Sequence, residues 1–464
     1  MSVTSAAAVV AASMIGAGVY TTSGFSLGDL GSPGYVVAAW AIGGLIAICG
    51  AICYGALAQQ FTESGGEYLF LARAVHPAAG MMAGWVSLLA GFTGAMAFAA
   101  STFESFLRGA NLELINRVPV NGAAIALVLG AAIVHSLGLR RGTRIQNGVV
   151  LFKLLAIALF LIVAYSTIAT WQGGRPAGAT VDQMVQQPAG PGFSWQFLLI
   201  FANALTWISL SYSGFNAAVY LTDEVAQPHR NVPRAMVIAT GSVSILYLLL
   251  NVVFVYAPSA VEVAGQPNVA TLAAASIGRQ IQAEGHQWGR MISGLVRIAI
   301  LAGLGTSVLA LMQTGPRVYQ KMASDRLLPR WLIGRKDAVT GSPVRPGVSL
   351  PAIWIQATLA ILVICVASLR DQLDYLGFTL SICAALCGSL VFLFRNHRVY
   401  PVRVWGYPVV PLIYVGGTLT IASLTAIRVP LQALVGVGTL GIGVLAYWVS
   451  RFLWGRRAIG DRRN

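Results

Sequence analysis

Apolar residues along this chain occur in long runs, which short polar segments separate. Each run is about 20 residues long, the length that a helix needs to cross the hydrocarbon core of a bilayer. The pattern predicts an all-α integral membrane protein with about twelve transmembrane helices. The predicted spans lie at 3–27, 34–57, 80–107, 120–138, 146–169, 194–222, 235–257, 289–320, 348–369, 373–394, 410–427 and 430–453.

Composition agrees with this pattern. The chain has 464 residues, of which 56% are hydrophobic and only 10% are charged. Soluble domains typically carry about 25% charged residues, so an ordinary soluble protein is excluded. The N-terminus lacks the charged region and the small-residue cleavage site of a signal peptide, so the first span is expected to remain in the protein.

The distribution of Lys and Arg predicts the orientation. If the N-terminus is cytoplasmic, the cytoplasmic loops and the C-terminal tail carry a roughly threefold excess of basic residues over the outer loops. Both termini are therefore predicted to be cytoplasmic, in a plasma membrane such as the bacterial inner membrane. The net charge of +15 then reflects topology and contact with the headgroups of the lipid bilayer, and we expect no nucleic-acid partner.

Two predicted spans contain residues that interrupt a helix. Glycine in a helix interior costs about 0.5–1 kcal/mol relative to alanine, and in lipid no water replaces a lost backbone hydrogen bond. The alternative is that the glycines allow close helix packing, but their occurrence in both spans favours two broken helices. The residues concerned are Gly16, Gly18 and Gly24 in span 1, and Ser209, Ser211, Ser213, Gly214 and Asn216 in span 6.

The positions of the two breaks predict an inverted repeat. Spans 1–5 (1–169) and spans 6–10 (194–394) would form two repeats of opposite topology, followed by two additional helices (410–453) and a basic cytoplasmic tail (454–464), all in one membrane domain. Broken helices in matching halves indicate the central site of a secondary transporter. The exposed N–H end of a half-helix suits a carboxylate, and the carbonyl end suits an ammonium group or a cation.

Five segments resemble the amino acid–polyamine–organocation (APC) superfamily of permeases, including its L-type and bacterial amino acid permeases, which have the LeuT-type fold. They occur in the family's order and extend from the first break to residue 411. The segments are "MIGAGVY", "ESGGEYLFLARAVHP", "YSGFNAAVYLTDEVAQPHRNVPRAM", "GTSVLALMQTGPRVYQKMASDRLLP" and "YPVRVWGYPVVP".

The resemblance implies a site for an amino acid at the two breaks. It implies that Phe215 closes over the substrate from the outer side. Asn216 stands where some members have an acid, and the sequence shows no acid near either break, which favours neutral amino acids over cationic ones or polyamines. The carboxylate would bind the backbone of Gly16, Ala17 and Gly18, and the ammonium group would bind carbonyl groups of Met14, Ile15, Leu210, Ser211 and Ser213.

Lys153 is the most informative charged residue. A lysine inside a span costs a few kcal/mol and is by default a functional residue, although it could instead extend to the headgroups. The resemblance implies that this lysine takes the place of the sodium ion of sodium-coupled relatives, with Thr306 and Ser307 as polar neighbours. We therefore expect sodium-independent, proton-coupled symport. Obligate exchange remains open, as does a membrane amino acid sensor.

Other chemistries have little support in the sequence. The five histidines are scattered and no nucleophile lies beside a base, so neither an enzyme nor a cofactor is expected. The pairs Cys49/Cys53 and Cys383/Cys387 have the spacing of one helix face and could hold a soft metal. Buried thiols are far commoner than such sites, so we expect no metal. The sequence leaves the amino acid and the oligomeric state open.

Overall fold

A computed structural model describes most of the chain. The described residues are 1–61, 65–110, 113–137, 142–167, 194–283, 285–286, 288–324, 328–333, 349–396 and 402–454. The predicted basic tail lies outside them, apart from residue 454.

Helical segments occupy all twelve predicted positions. Among the described residues, nine helices are long and apolar enough to cross a membrane, and a bent helix pair at the N-terminus, taken as one span, makes a tenth. Spans 4 and 9 are shorter apolar helices of 15 and 17 residues. The bounds are Val3–Met14 with Ala17–Leu30 (span 1), Pro33–Ala58 (span 2), Pro77–Arg108 (span 3), Gly122–Ser136 (span 4), Gly142–Ser166 (span 5), Trp195–Tyr212 with Ala217–Glu224 (span 6), Pro228–Tyr256 (span 7), Gly289–Ser324 (span 8), Leu350–Val366 (span 9), Leu369–Phe394 (span 10), Val409–Arg428 (span 11) and Pro430–Trp454 (span 12).

Short helices join some of the spans. Two of them matter for the site: Gly66–Ala74 after span 2, which we call the inner loop helix, and Val269–Ala283 after span 7, which we call the outer loop helix. We call the side of the protein that carries the N-terminus the inner side, and the opposite side the outer side. The amino group of Met1 donates to the carbonyl of Glu224, so span 6 ends on the inner side, where span 1 begins.

Two apolar clusters contain most of the buried residues of the described spans. In the largest, spans 1, 2, 6 and 7 pack together with parts of spans 3, 5, 8, 10 and 11, and the rings of Trp40, Tyr212 and Tyr247 contact one another. Spans 3, 4, 8 and 9 share a second cluster, which includes Met96, Val128 and Ile353. Both broken spans belong to the largest cluster, so each break faces polar backbone of the other instead of lipid, as the bilayer requires of irregular backbone.

The outer side of the breaks is closed. The N–H of Gly265 donates to the carbonyl of Gly24 at 2.7 Å, which fixes the loop before the outer loop helix against span 1. The residues from Ala17 to Leu27 are buried. By contrast, Ser13 is exposed and Gly214 is half-buried, although both lie in the middle of their spans. The two breaks are therefore less tightly packed than the outer half of span 1.

We expect Gly214→Ala to destabilise the fold. Gly214 has φ +102°, and an added Cβ would lie 2.9 Å from the carbonyl carbon of Ser13. A non-glycine residue in such a conformation costs about 1–3 kcal/mol, and here it would also push the two breaks apart. The apparent midpoint of thermal unfolding in detergent should fall. Gly241→Ala in span 7, where an added Cβ meets nothing within 4 Å, is the control. Equal midpoints for the two variants would contradict this account.

Candidate functional site

The break in span 1 leaves the start of a helix open. The first half ends at Met14, and Ala17–Leu30 begins after Gly16, which is extended (φ −121°, ψ −156°) and has no side chain to cap the helix. The two halves are bent by 42°. The first N–H groups of the second half have no acceptor within their helix. A Cβ added to Gly16 would meet only the carbonyl oxygen of Met14, at 3.8 Å, so there is space beside Gly16 itself.

The break in span 6 differs from the predicted one in its inner half. The α-helix Trp195–Tyr212 ends as predicted, and Ser213 and Gly214 leave the helical conformation. The inner half, Ala217–Glu224, is a 3₁₀-helix and not an α-helix. A 3₁₀ segment inside a span often marks a hinge or strain.

The two breaks are in direct contact. A Cβ added to Gly18 would overlap the hydroxyl oxygen of Ser211. The hydroxyl oxygens of Thr22 and Ser211 lie 3.1 Å apart. The structure therefore brings the predicted carboxylate-binding backbone of span 1 against the predicted carbonyl region of span 6.

Tyr247 of span 7 joins the carbonyl ends of both breaks, a role that the sequence did not reveal. Its hydroxyl group donates to the carbonyl of Met14 at 2.6 Å and lies 3.2 Å from the carbonyl oxygen of Ser211. Packing of its ring against Trp40 and Tyr212 fixes its position. The only signal in the sequence is a tyrosine within an apolar run, which looks the same as a core residue.

Lys153 lies at the break in span 1. Its ammonium group donates to the carbonyl of Ile15 at 2.7 Å, and the residue is 3% exposed, so it does not extend to the headgroups. Its stem lies against Gly303 of span 8, where an added Cβ would come 2.8 Å from Cδ. Among the described residues, the hydroxyl groups of Thr306 and Ser307 accept no hydrogen bond from the Lys153 ammonium. Both donate to the carbonyl of Gly303 at 2.9 Å.

Phe215 does not lie where the resemblance places it. Its ring packs against Tyr54 at 5.3 Å and Tyr414 at 6.3 Å, near the inner ends of spans 2 and 11. The outer position is occupied by Phe25 and Trp207, whose rings lie 6.2 Å apart. Span 6 continues towards the inner side after the turn at Gly214, and Phe215 lies in that inner part.

An ion-pair network closes the outer side beyond these rings. Trp207 donates through its indole N–H to Asp374 at 2.6 Å, and the guanidinium of Arg370 lies 5.0 Å from the Trp207 ring. Arg370 and Arg428 both donate to the carboxylate of Asp29, at the outer end of span 1.

An acid does lie near the break in span 6, contrary to the expectation from the sequence. Glu67 begins the inner loop helix and is 7% exposed. Its carboxylate accepts from the Tyr54 hydroxyl at 2.7 Å and from Asn216 at 3.2 Å. Burial raises the pKa of this carboxyl group, although these hydrogen bonds oppose the change. Glu67 is part of the quoted "ESGGEY" segment, but only the fold brings that segment to Asn216.

Two cysteines complete the surroundings of Glu67. The thiol of Cys383 donates to Oε2 of Glu67 at 3.4 Å, and the thiol of Cys387 lies 4.0 Å from the Glu67 carbonyl oxygen. Within the described part of the chain, these three side chains form the only group of metal-ligating type whose ligand atoms lie within 4.8 Å of one another.

Comparison with known proteins gives one family. Residues 1–448 match the family model described as "Amino acid permease". The b(0,+)-type amino acid transporter 1 of Mus musculus is 28% identical over 248 residues, which is 53% of this chain and 49% of that protein. The large neutral amino acids transporter small subunit 2 of Mus musculus is 24% identical over 454 residues, 96% of this chain and 80% of that protein. The Asc-type amino acid transporter 1 of the same organism is 24% identical over 461 residues, which is 97% of this chain and 80% of that protein. The match spans about half the length of the first relative.

We expect Tyr247→Phe to loosen both breaks. The ring packing stays, but the hydroxyl group that holds the two carbonyl ends is lost, at about 0.5–1.5 kcal/mol per hydrogen bond. Amide hydrogen exchange should rise in residues 13–18 and 210–216, and the apparent midpoint of thermal unfolding should fall. Tyr20→Phe is the matched control, because the buried Tyr20 hydroxyl has no partner among the described residues. Equal exchange in the two variants would show that Tyr247 does not hold the breaks.

Proposed function

The chain belongs to the amino acid permease family, and on that premise we propose that it is a secondary transporter that moves a neutral amino acid by alternating access. The family and the relatives are transporters, not enzymes. The observation that carries the proposal is the helix start at Gly16, which has no side-chain cap, has space beside Gly16 itself and lies next to the carbonyl ends of both breaks.

This arrangement suits a zwitterion without any charged side chain. The N–H groups after Gly16, at the positive end of a helix dipole, would bind the carboxylate. The α-ammonium group would bind carbonyl groups of span 6 between Leu210 and Ser213. The carbonyls of Met14 and Ile15 already accept from Tyr247 and Lys153, but a carbonyl oxygen has two lone pairs and can accept a second donor.

The surroundings of the breaks support a neutral side chain. The acid nearest the span 6 break, Glu67, accepts from Tyr54, Asn216 and Cys383. These contacts occupy its carboxylate, which therefore does not serve as a free partner for a cationic side chain. Cationic amino acids or polyamines are the alternative class. The names of two relatives specify large neutral amino acids and Asc-type transport.

We propose that Lys153 replaces a coupling ion. Unwound carbonyl groups at such a break are where secondary transporters bind a cation, and here the Lys153 ammonium occupies that place on Ile15. A sodium requirement is therefore not expected. Release of a proton from Lys153 during the cycle would make the protein a proton symporter. If Lys153 keeps its proton throughout the cycle, no proton is moved by it, and obligate exchange is the alternative mode.

The positive charge bias supports a cytoplasmic inner side in a plasma membrane, with both termini on that side. On this orientation the contact between Gly265 and Gly24 lies towards the outside. The proposed inverted repeat of spans 1–5 and 6–10 fits the contact between the two breaks.

Uptake of radiolabelled amino acids into proteoliposomes tests this function. A panel of amino acids would be assayed with and without sodium, an inward proton gradient and internal amino acid. Sodium-independent uptake of neutral amino acids into empty vesicles, driven by the proton gradient, would support symport. Uptake that requires internal amino acid would support exchange. A strict sodium requirement would contradict the role of Lys153, and transport of none of the panel would contradict the function itself.

Gly16→Ala should impair binding while leaving the fold intact. The added methyl group fits the protein, since its nearest neighbour is 3.8 Å away, but it would occupy the space where the carboxylate approaches the N–H groups. We expect the apparent affinity to fall by roughly tenfold, which corresponds to about 1.4 kcal/mol. Stabilisation against heat by added amino acid measures this directly. Gly294→Ala in span 8, with nothing within 4 Å of its added Cβ, should bind normally. Wild-type affinity in Gly16→Ala would place the carboxylate elsewhere.

Lys153→Gln separates the two coupling modes. Glutamine keeps an N–H donor for the Ile15 carbonyl, but its amide is neutral and cannot take up or release a proton during the cycle. We expect proton-driven net uptake to be lost while exchange of internal for external amino acid persists. An equal loss of net uptake and exchange, at unchanged protein levels, would show that Lys153 acts only through the structure of the break.

A further inference from the structure

The inner side contains a cluster that transport of amino acids does not explain. Cys383 and Cys387 lie one turn apart on span 10, and Glu67 reaches them from the inner loop helix. The two thiols are fully buried and Glu67 nearly so. Three ligand atoms of the types that Zn²⁺ prefers thus meet between two separate elements, within 4.8 Å of one another.

The spacing fits a tetrahedral ion. With Zn–S distances of about 2.3 Å and Zn–O distances of about 2.0–2.2 Å, a tetrahedral site has a sulfur-to-oxygen separation of roughly 3.5 Å. The Cys383 sulfur lies 3.4 Å from Oε2 of Glu67. Three protein ligands with one open position are a common arrangement for this ion.

The other pair of cysteines provides an internal comparison. Cys49 and Cys53 have the same spacing on span 2 and are also buried. However, among the described residues they belong to no group of three ligating side chains. Two thiols at helical spacing are therefore not sufficient, and the carboxylate from a second element distinguishes the cluster on span 10.

We propose that Glu67, Cys383 and Cys387 bind a soft divalent cation of the Zn²⁺ class, and that the bound ion ties the inner loop helix to span 10. This revises the expectation that the protein has no metal site. Binding would use Oε2 of Glu67 and displace the thiol protons, while Oε1 keeps its hydrogen bonds to Tyr54 and Asn216. Since the ligands must lose protons, affinity should fall as the pH is lowered.

The ion would act on transport through the span 6 break. Phe215 and Asn216 follow the break directly. Asn216 donates to Glu67, and the ring of Phe215 packs against the ring of Tyr54. Alternating access moves the broken helices relative to their surroundings. The ion would join span 10 to the inner loop helix, whose Glu67 accepts from Asn216 of span 6. This link would restrain the motion, so we expect an ion bound from the inner side to inhibit transport. This second part rests on the proposed transport function; the binding site itself does not.

Direct binding is tested first, without any substrate. The purified protein, kept reduced with a phosphine that does not bind metals, would be titrated with Co²⁺ and Cd²⁺, and thiolate-to-metal charge-transfer absorbance recorded. We expect saturation at one ion per chain. Cys383→Ser and Cys387→Ser should abolish the signal, and Glu67→Gln should weaken affinity by roughly tenfold or more. The double variant Cys49→Ser/Cys53→Ser should bind as the wild type does.

Two results would overturn the site. One is a signal that persists in Cys383→Ser and Cys387→Ser or disappears in the Cys49/Cys53 double variant. The other is the absence of any charge-transfer band in the wild type while thiol counting shows all five cysteines reduced. Wild-type thermal stability of the serine variants in the absence of metal shows that they are folded.

Inhibition is tested separately in proteoliposomes. Cd²⁺ added on the inner side should reduce wild-type amino acid uptake, and Cys383→Ser should be insensitive. Binding without inhibition would overturn the gating part of the proposal. A protein that binds Cd²⁺ but transports no amino acid at all would contradict the proposed function and leave the metal site standing.

Discussion

A bilayer supplies no water to backbone groups, so every break in a spanning helix must find other partners for its free N–H and C=O groups. Here carbonyl groups at both breaks accept hydrogen bonds from side chains, whereas no side chain caps the N–H end of the second half of span 1. The carbonyl end of the first half of span 1 is held by Tyr247 at Met14 and by Lys153 at Ile15. The carbonyl of Ser211 in span 6 shares Tyr247. The N–H end after Gly16 has no side-chain cap. Under the proposed function, these uncapped N–H groups bind the carboxylate of the amino acid.

Lys153 and Tyr247 have the same structural role at the break in span 1. Each contributes a donor to a carbonyl that a helix break exposes, one with a charge and one without. A charged donor also adds positive potential near the N–H end, because Ile15 and Gly16 are neighbours. Under the proposed function, this potential would favour a carboxylate at the N–H groups of the backbone, whether Lys153 keeps its proton throughout the cycle or releases it.

The sequence was sufficient for features that depend on local pattern. The twelve spans follow from hydropathy, and the break at Gly16 and the end of the α-helix at Tyr212 follow from glycine and small polar residues within apolar runs. Features that depend on packing between distant segments were not predictable. Glu67 lies in a loop segment 149 positions from Asn216, and Tyr247 cannot be told from a core tyrosine by its neighbours in the sequence. The inward direction of Phe215 depends on the positive φ of Gly214, which composition suggests but does not specify. Thr306 and Ser307 were placed near Lys153 by resemblance, yet their hydroxyls bond to their own helix, as such residues often do in spans.

Different interactions hold the outer and the inner surroundings of the breaks. On the outer side, Asp29 pairs with Arg370 and Arg428, whose side chains are 43% and 26% exposed. Partly exposed ion pairs contribute about 0–1 kcal/mol each, so water can replace them at low cost when the outer side opens. On the inner side, Glu67 is held by a tyrosine, an amide and a thiol in a buried environment, where breaking a contact leaves an unsatisfied polar group at about 1–3 kcal/mol. Alternating access requires two states that differ by only a few kcal/mol. Under the proposed alternating access, the outer ion pairs would therefore break at low cost, whereas a rearrangement around Glu67 would require new partners for its buried hydrogen-bonding groups.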